Sequence, residues 1–519
     1  MNTTSSRAPG DLPRDQQWLR LGYGIIAVLF LFRLAYIASG KIELSKDEAY
    51  QWLWSKHLAL SYYSKPLMIA YAQWLGTHLF GDTELGVRFF SPFCSALASA
   101  LLLRFFAREV NARAGVVLMA ICGVTPFIAV GSTLLTIDPL LVLFWTAAML
   151  AGWRAIQPEA RTRDWLWVGL WSGLAFLSKY TALMLWICWA VFFIASPAAR
   201  GQLRRPGIWL ALLVNLLCTL PVLIWNSQHG WVTVEHVAGN ANLNHAWKFS
   251  FNYLLGFLGT TGGLMHPVFW VASMWACIGF WKFMRTQLAV YLFSMGTPVY
   301  AVYLLYTIRS PIQPNWIAAA ILPMFCLMVV YWEQRWRQGE RAVQVWFKTG
   351  LVTGLIAVVL ALFPETIEKI TGRPVPPRMD PLRRVQGWRE VVKTVAAERQ
   401  KLAAEGKPVF IICDHYGLTG IISFYHSEAK RGVLSGSPLA YYQTAAHAKN
   451  QLFFWPEYRY REKLKGMNAI LVGENDKPTS PSAEVVKEFN SITNLGMFPL
   501  EHRGRVTRRL QLWACRDLR

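Results

Sequence analysis

The stretch Trp18–Ser39, WLRLGYGIIAVLFLFRLAYIAS, is one apolar run interrupted only by Arg20 and Arg33. A bilayer crossing takes roughly 20 such residues, and a secretory signal has a shorter apolar core, so the run reads as a first spanning helix with its amino end inside. Arg33 lies near the outer end of that helix, where a guanidinium either snorkels to the headgroups or faces a buried anion. Further apolar spans follow near 85–107, 114–131, 138–153, 164–178, 181–197, 207–225, 252–281, 286–307, 315–332 and 343–363, which makes about eleven crossings in all. The runs at 138–153 and 164–178 are short, as helices beside a polar cavity are allowed to be. A 519-residue chain that is 54% hydrophobic, with 25 tryptophans, is too apolar for an ordinary soluble protein.

The formal charge of +22 would suit nucleic acid, but no basic stripe or zinc-ligand spacing accompanies it. It follows instead the excess of Arg and Lys expected of cytoplasmic loops. Arg104, Arg108 and Arg113 fall in one such loop, Arg154, Arg161 and Arg163 in the next, then Arg200, Arg204 and Arg205, then Lys282 and Arg285, and last Arg335, Arg337, Arg341 and Lys348. By that parity the loop holding Asp47, the turn at Asp138, the loop 226–251, the turn Ile308–Asn315 and everything beyond Pro364 lie outside. Six of the eight cysteines sit in apolar segments at irregular spacing, and only Cys413 and Cys515 are placed to pair outside.

Beyond Pro364 the composition changes. Pro374, Pro376 and Pro377 read as a stiff linker, followed by a helix from Pro381 to about Ala404, a buried strand Val409–Ile412, a helix near Gly420–Tyr425, a strand Ala469–Val472 and a last strand near Leu510–Trp513. The expected fold is thus an all-α polytopic membrane domain over residues 1–364 and a small α/β domain outside the membrane over 365–519.

Chemistry is expected first in the loop 40–84. Lys46-Asp47-Glu48-Ala49-Tyr50 sets two adjacent carboxylates at the membrane surface, and Tyr62-Tyr63-Ser64-Lys65-Pro66 adds a lysine suited to a lipid phosphate. Tyr62 and Tyr63 offer hydroxyl donors or sugar-stacking faces, and a carboxylate here takes a proton from an attacking hydroxyl or stabilises positive charge on a sugar carbon. The alternative is an interfacial anchor with solvated charges. Asp138 opens a spanning helix and either caps it or joins Asp47 in a pair of acids. His229 and Glu235-His236 offer a metal ligand, an acceptor guide or a proton shuttle, against a purely structural use. Arg309, Gln313, Asn315 and Trp316 form another outer cluster, able to grip a phosphate or sugar unless Pro311 and Pro314 merely shape a turn. Asp414-His415-Tyr416, after a buried strand, suits a structural or acceptor-guiding role.

This combination resembles the GT-C glycosyltransferases of the protein-mannosyltransferase-like family 39, which includes relatives of the lipid A aminoarabinose transferase. The matching pieces are Asp47–Tyr50, Tyr63–Pro66, Asp138-Pro139, Gly173–Lys179, His229–Trp231, Asn315-Trp316, Gly387–Arg389 and Asn450-Gln451. The resemblance implies transfer of one sugar, with inversion, from a polyprenyl-phosphate carrier of the undecaprenyl type to an acceptor such as lipid A, a polysaccharide or a protein. It implies a bacterial inner membrane with the outer loops and the C-terminal domain on its periplasmic side; Asp47 as the base-like acid with Glu48 and Asp138 beside it; Lys65, Tyr62, Tyr63, Arg33 and Arg309 on the carrier phosphate; and His229, His236, Asn315 and Trp316 toward acceptor or sugar. Asp47 and His236 are candidate ligands for a divalent metal, and no other cofactor is expected. Two departures stand out: Ser64 replaces a glutamate, and Gly239 and Asn240 stand where an arginine is expected after Glu235-His236. The first counts against metal binding at that position, and both count against aminoarabinose and lipid A as assumed substrates. The rival from another class is a transporter or lipid flippase, which would concentrate polar residues at the bilayer midplane rather than in outer loops.

Overall fold

A computed structural model describes residues 11–242, 250–373, 375–376, 379–502 and 505–519. The expected linker prolines Pro374 and Pro377, and part of the loop 226–251, lie outside the described residues. The chain divides into two compact units. The first comprises Met1–Ala35, Lys65–Ile69 and Arg88–Phe363; the second joins Tyr36–Ser64 and Ala70–Val87 to Pro364–Arg519. The loop segments carrying Asp47 therefore fold with the C-terminal residues.

Among the described residues six helices are long and apolar enough to cross a membrane: Asp15–Ala38, Glu84–Glu109, Pro206–Gln228, Gln287–Tyr306, Pro314–Arg337 and Arg341–Leu362. The chain is a multi-pass membrane protein. The run expected as one span at 252–281 is instead two helices, Phe251–Leu264 and Pro267–Phe283, bent by 111°. Pro267 starts the second helix and His266 takes a positive φ of 68°, so the backbone turns where the apolar sequence does not change. Likewise the run 114–131 breaks at Thr125, where Pro126 opens a new helix, Pro126–Gly131.

Within the first unit the helix Ile137–Ala155 packs on Gln287–Tyr306 through paired polar and aromatic contacts. Trp145 donates to the Met295 carbonyl at 3.1 Å, and the Tyr291 hydroxyl to the Met149 carbonyl at 2.6 Å. Gly152 permits the approach, since a Cβ there would stand 2.5 Å from the Tyr291 hydroxyl. Burying both indole and phenol contributes packing, and the two hydrogen bonds offset the desolvation of their donors. On the outer surface of the helices Leu255, Ile194 and Ile278 are 66%, 71% and 77% exposed, a distribution that suits hydrocarbon rather than water.

The second unit is built on a five-stranded sheet: β1 (Val409–Cys413), β2 (Ala440–Tyr442), β3 (Asn468–Glu474), β4 (Phe489–His502) and β5 (Arg505–Leu518), in the order β2-β1-β3-β5-β4. β1 runs parallel to both β2 and β3, whereas β5 is antiparallel to β3 and β4. The expected strands at 409–412 and 469–472 are present, and the last is a strand of 14 residues in a hairpin with the unforeseen β4. That hairpin carries Arg508 and Arg509 on one strand and Pro499, with Gly496 at φ +102°, on its edge partner, so no apolar run announces it. Cys413 and Cys515 remain free. β3 lies between them, pairing Cys413 with Val472 and Cys515 with Ala469, which holds the sulfurs too far apart to bond.

Against this sheet lies the helix Tyr416–Tyr425, and on it the helix Lys46–Ser55. Gly417 and Gly420 make the seat: a Cβ at Gly417 would meet the Lys46 Cβ at 2.5 Å, and one at Gly420 the Tyr50 amide nitrogen at 2.6 Å. Lys56 and Asp82 pair at 2.6 Å, and Tyr425 donates to Glu84 at 3.2 Å, tying the remaining loop segment to the same unit. Gly420→Ala should therefore cost about 1–3 kcal/mol, because the added methyl meets backbone rather than a movable side chain. Thermal unfolding of the purified protein should show this loss, whereas Gly259→Ala, in open space, should leave the midpoint in place.

Candidate active site

In the second unit Asp47 stands exposed in the first turn of the helix Lys46–Ser55, where the helix N-terminus favours negative charge. Its neighbour Glu48 has a different occupation. The Ser45 side chain accepts from the Glu48 amide and Glu48 accepts from the Ser45 amide at 2.8 Å, a capping box that leaves Glu48 fully buried. Glu48 is thereby corrected from catalytic candidate to helix cap. Lys46 is paired with Glu474 at 2.6 Å.

Tyr50 and Tyr63 converge on one residue. Gln451 donates its amide to the Tyr50 hydroxyl at 2.6 Å and accepts the Tyr63 amide at 2.7 Å through its side chain. Tyr62 is buried and stacked on Trp54 at 4.5 Å, with its hydroxyl donating to the carbonyls of Trp54 and His57 and accepting from Ala59. Those bonds commit the hydroxyl to backbone, which removes Tyr62 from the set expected on the carrier phosphate.

Beside Asp47 stand His415 and Tyr416, lining the same cleft. Burial, reinforced by the charge of Asp47, pushes the Tyr416 phenol up to about 12. Burial and the Lys46 ammonium hold the His415 imidazole down at about 4, so it is neutral at physiological pH, with Nδ1 accepting from the Gly417 amide at 3.0 Å. Burial also raises Asp414, to about 6, against the pull of Lys46.

In the first unit Asp138 is engaged by a cation. Lys179 donates to one carboxylate oxygen at 2.7 Å and the Asn315 side chain to the other at 3.0 Å, while Thr136 caps the helix through the Asp138 amide at 3.2 Å. Asp138 and Lys179 are each only 7% exposed. Lys179, which ends the apolar helix Asp164–Ser178, appears in the matched motif Gly173–Lys179 yet was not among the expected site residues; a lone cation closing an apolar run was the available signal. The Lys179 ammonium also lies 3.4 Å from the Asn315 carbonyl, and Trp316 meets Tyr303 edge-on at 5.6 Å.

The remaining first-unit candidates divide. His236 and Lys65 share one electrostatic neighbourhood: burial, then the Lys65 ammonium, depresses the imidazole below its ordinary value, and Asn240 sits 2.9 Å from its Nε2. His229 stacks on Trp225 at 4.0 Å with Nδ1 against the Trp225 carbonyl at 2.7 Å, a helix-end contact. Arg309 donates to the Asn242 carbonyl at 3.2 Å. Arg33 is buried and donates to the Ser95 hydroxyl at 3.1 Å, so it turns inward rather than snorkelling. Among the described residues no three His, Cys, Asp or Glu side chains gather into a metal-binding group.

Comparison with known proteins gives this arrangement a context. Residues 64–225 match the family described as dolichyl-phosphate-mannose-protein mannosyltransferase. The chain is 26% identical to a lipid A galacturonosyltransferase, RgtD, of Rhizobium johnstonii, over 82% of this chain and 87% of that one. It is 25% identical to an undecaprenyl phosphate-alpha-4-amino-4-deoxy-L-arabinose arabinosyl transferase of Edwardsiella ictaluri, over 68% of this chain and 67% of the relative. In fold it is similar to ArnT from Cupriavidus metallidurans, solved with undecaprenyl phosphate, with a TM-score of 0.57 at 14% identity, covering 96% of this chain and 98% of that one. Helical membrane body, α/β unit and these likenesses agree with one another: the chain is a membrane glycosyltransferase with a GT-C-type fold, similar over residues 64–225 to the mannosyltransferase family.

Proposed function

We propose that the chain transfers a single sugar from an undecaprenyl-phosphate carrier to the saccharide headgroup of lipid A or a similar glycolipid, on the periplasmic side of the inner membrane. The observation that carries this reading is likeness over four fifths of the chain to a lipid A sugar transferase, in a protein whose Asp47 stands at a helix N-terminus facing a cleft. The departures at Ser64 and Gly239 separate it from the aminoarabinose enzymes and leave the donor sugar open to a different class, such as the uronic acid of the Rhizobium relative.

A carrier-linked sugar is already activated, because the phosphate is a competent leaving group. In the proposed step the acceptor oxygen attacks the anomeric carbon from the face opposite the phosphate, the bond from that carbon to the phosphate oxygen breaks, and the electron pair leaves with the carrier. Asp47 takes the proton from the acceptor oxygen. Lys65 supplies positive charge to the departing phosphate. His236, held neutral beside Lys65, adds no competing charge there. In-line attack inverts the anomeric centre. The ion pair of Asp138 and Lys179, with Asn315, is proposed to fix the helix end that carries Asp138.

Purified protein supplied with a radiolabelled undecaprenyl-phosphate sugar and lipid A should move label to the lipid A. Asp47→Asn should lower turnover about 10²–10⁴-fold with little change in carrier affinity. Lys65→Ala should weaken carrier binding roughly tenfold or more, as loss of a charged hydrogen bond does; small and equal effects from both variants would contradict the assignment.

Lys179→Met should destabilise the fold by about 3–5 kcal/mol, since it strands a buried carboxylate. The double variant Asp138→Leu, Lys179→Met should regain much of that stability, read by thermal unfolding, without regaining turnover. Recovery of both would reduce the pair to packing.

A further inference from the structure

The second unit contains a cleft of about 390 Å³ that opens on Asp47. Four cations line it, Lys46, Arg383, Arg384 and Arg508, against two carboxylates, Asp47 and Glu474. Glu474 is already shared, standing 2.6 Å from Lys46 and 2.6 Å from Arg508. Arg508 is fixed in place: it is 7% exposed, its guanidinium lies 3.5 Å over the Trp388 ring, and it donates to the carbonyls of Arg383 and Gln386. Arg508 therefore acts as a buried anchor that holds the turn Arg383–Val385 rigid through its backbone.

The arginines on that turn are placed differently. Arg383 is half-buried and Arg384 exposed, and among the described residues neither guanidinium is in an ion pair. Asp380, the nearest acid along the chain, accepts from the Leu382 amide at 2.8 Å and so caps the turn. Two consecutive guanidiniums on a rigid turn repel one another unless an anion answers them, and their planar donor forks match the oxygens of a phosphate. His415, neutral with Nδ1 accepting from Gly417, presents its proton-bearing Nε2 as a further donor without adding charge.

We propose that this cleft binds a phosphate monoester of the acceptor glycolipid, gripped by Arg383 and Arg384, so that the neighbouring acceptor oxygen is presented to Asp47. This rests on the transferase reading above and adds to it an acceptor site distinct from the residues assigned to the carrier. A phosphate monoester is also what the carrier presents, so the test separates the two sources.

Full-length protein in detergent is titrated by equilibrium dialysis with a soluble glucosamine disaccharide 1,4′-bisphosphate, with the same disaccharide lacking phosphate, and with undecaprenyl phosphate. Arg383→Ala and Arg384→Ala should each weaken the bisphosphate about tenfold or more, and the double variant should reduce it to the level of the phosphate-free sugar. Undecaprenyl phosphate affinity should stay within about twofold, and Arg383→Lys should retain part of the binding. Unchanged bisphosphate binding in the double variant overturns the proposal, as does equal loss of undecaprenyl phosphate or equal binding of the phosphate-free disaccharide. The thermal midpoint, measured alongside, ensures that only folded variants are scored, with Arg383→Lys taking the place of any alanine variant that unfolds. Turnover of Asp47→Asn reports separately on the transferase reading: an active Asp47→Asn enzyme sinks that reading, whereas an inactive one with arginine variants of normal affinity sinks only this site.

Discussion

The position of Asp47 depends on a close approach of two helices. Gly417 and Gly420 let the helix Lys46–Ser55 settle onto Tyr416–Tyr425 with less than a methyl group of room, and the Ser45–Glu48 box determines where that helix begins. Together they set the depth and the rotation of the first turn. A carboxylate that must meet an acceptor oxygen at hydrogen-bond range has little tolerance, because a displacement of about 1 Å already costs on the order of 10² in rate. The glycines and the cap are therefore part of the proposed catalytic apparatus without touching substrate.

In the membrane unit two groups of buried charges form closed sets. Asp138 has Lys179 and Asn315; Glu333 accepts from Asn111, Arg113 and Arg337 in a second cluster of the membrane unit. Such sets are close to neutral in stability and strongly unfavourable when one member is lost, which makes them fixtures rather than sources of stability. The cleft beside Asp47 breaks this habit. There Glu474 answers Lys46 and Arg508, and Arg383 and Arg384 are left with positive charge facing a cavity. An excess of one sign in a site the chain could have neutralised is the mark of a place built for a ligand.

Much of the membrane body could be read from apolar length, because spans such as 207–225 and 343–363 follow from lipid alone. The bend at His266 could not, since the residues on both sides are equally apolar and only Pro267 hints at a break. Asp47 and Glu48 are adjacent acids that hydropathy cannot tell apart; the spacing Ser45-Lys46-Asp47-Glu48 does distinguish them, as a capping signature that assigns Glu48 to the backbone. Tyr62 lost its expected role to a tertiary arrangement, the stack on Trp54 and three backbone groups, of which local sequence carries no trace. The hairpin of β4 and β5 went unseen because alternation there runs through arginines, a proline and a glycine, where burial pattern and turn chemistry point in different directions.

The chemistry proposed for the chain makes opposite demands on its surroundings. An isoprenoid tail is soluble only in an apolar setting, whereas a phosphorylated saccharide must exchange its water for cations and hydrogen bonds one for one. A single helical bundle would have to compromise, since every charge it buried for the saccharide would weaken its hold in lipid. This chain instead gives the acid to a unit whose core is a sheet closed by the hairpin of β4 and β5, and gives Lys65 and the Asp138 cluster to the helical unit. Residues 36–64 and 70–87 interrupt the helical unit in sequence and fold with the C-terminal residues, a division that keeps Asp47 in the same unit as Arg383 and Arg384.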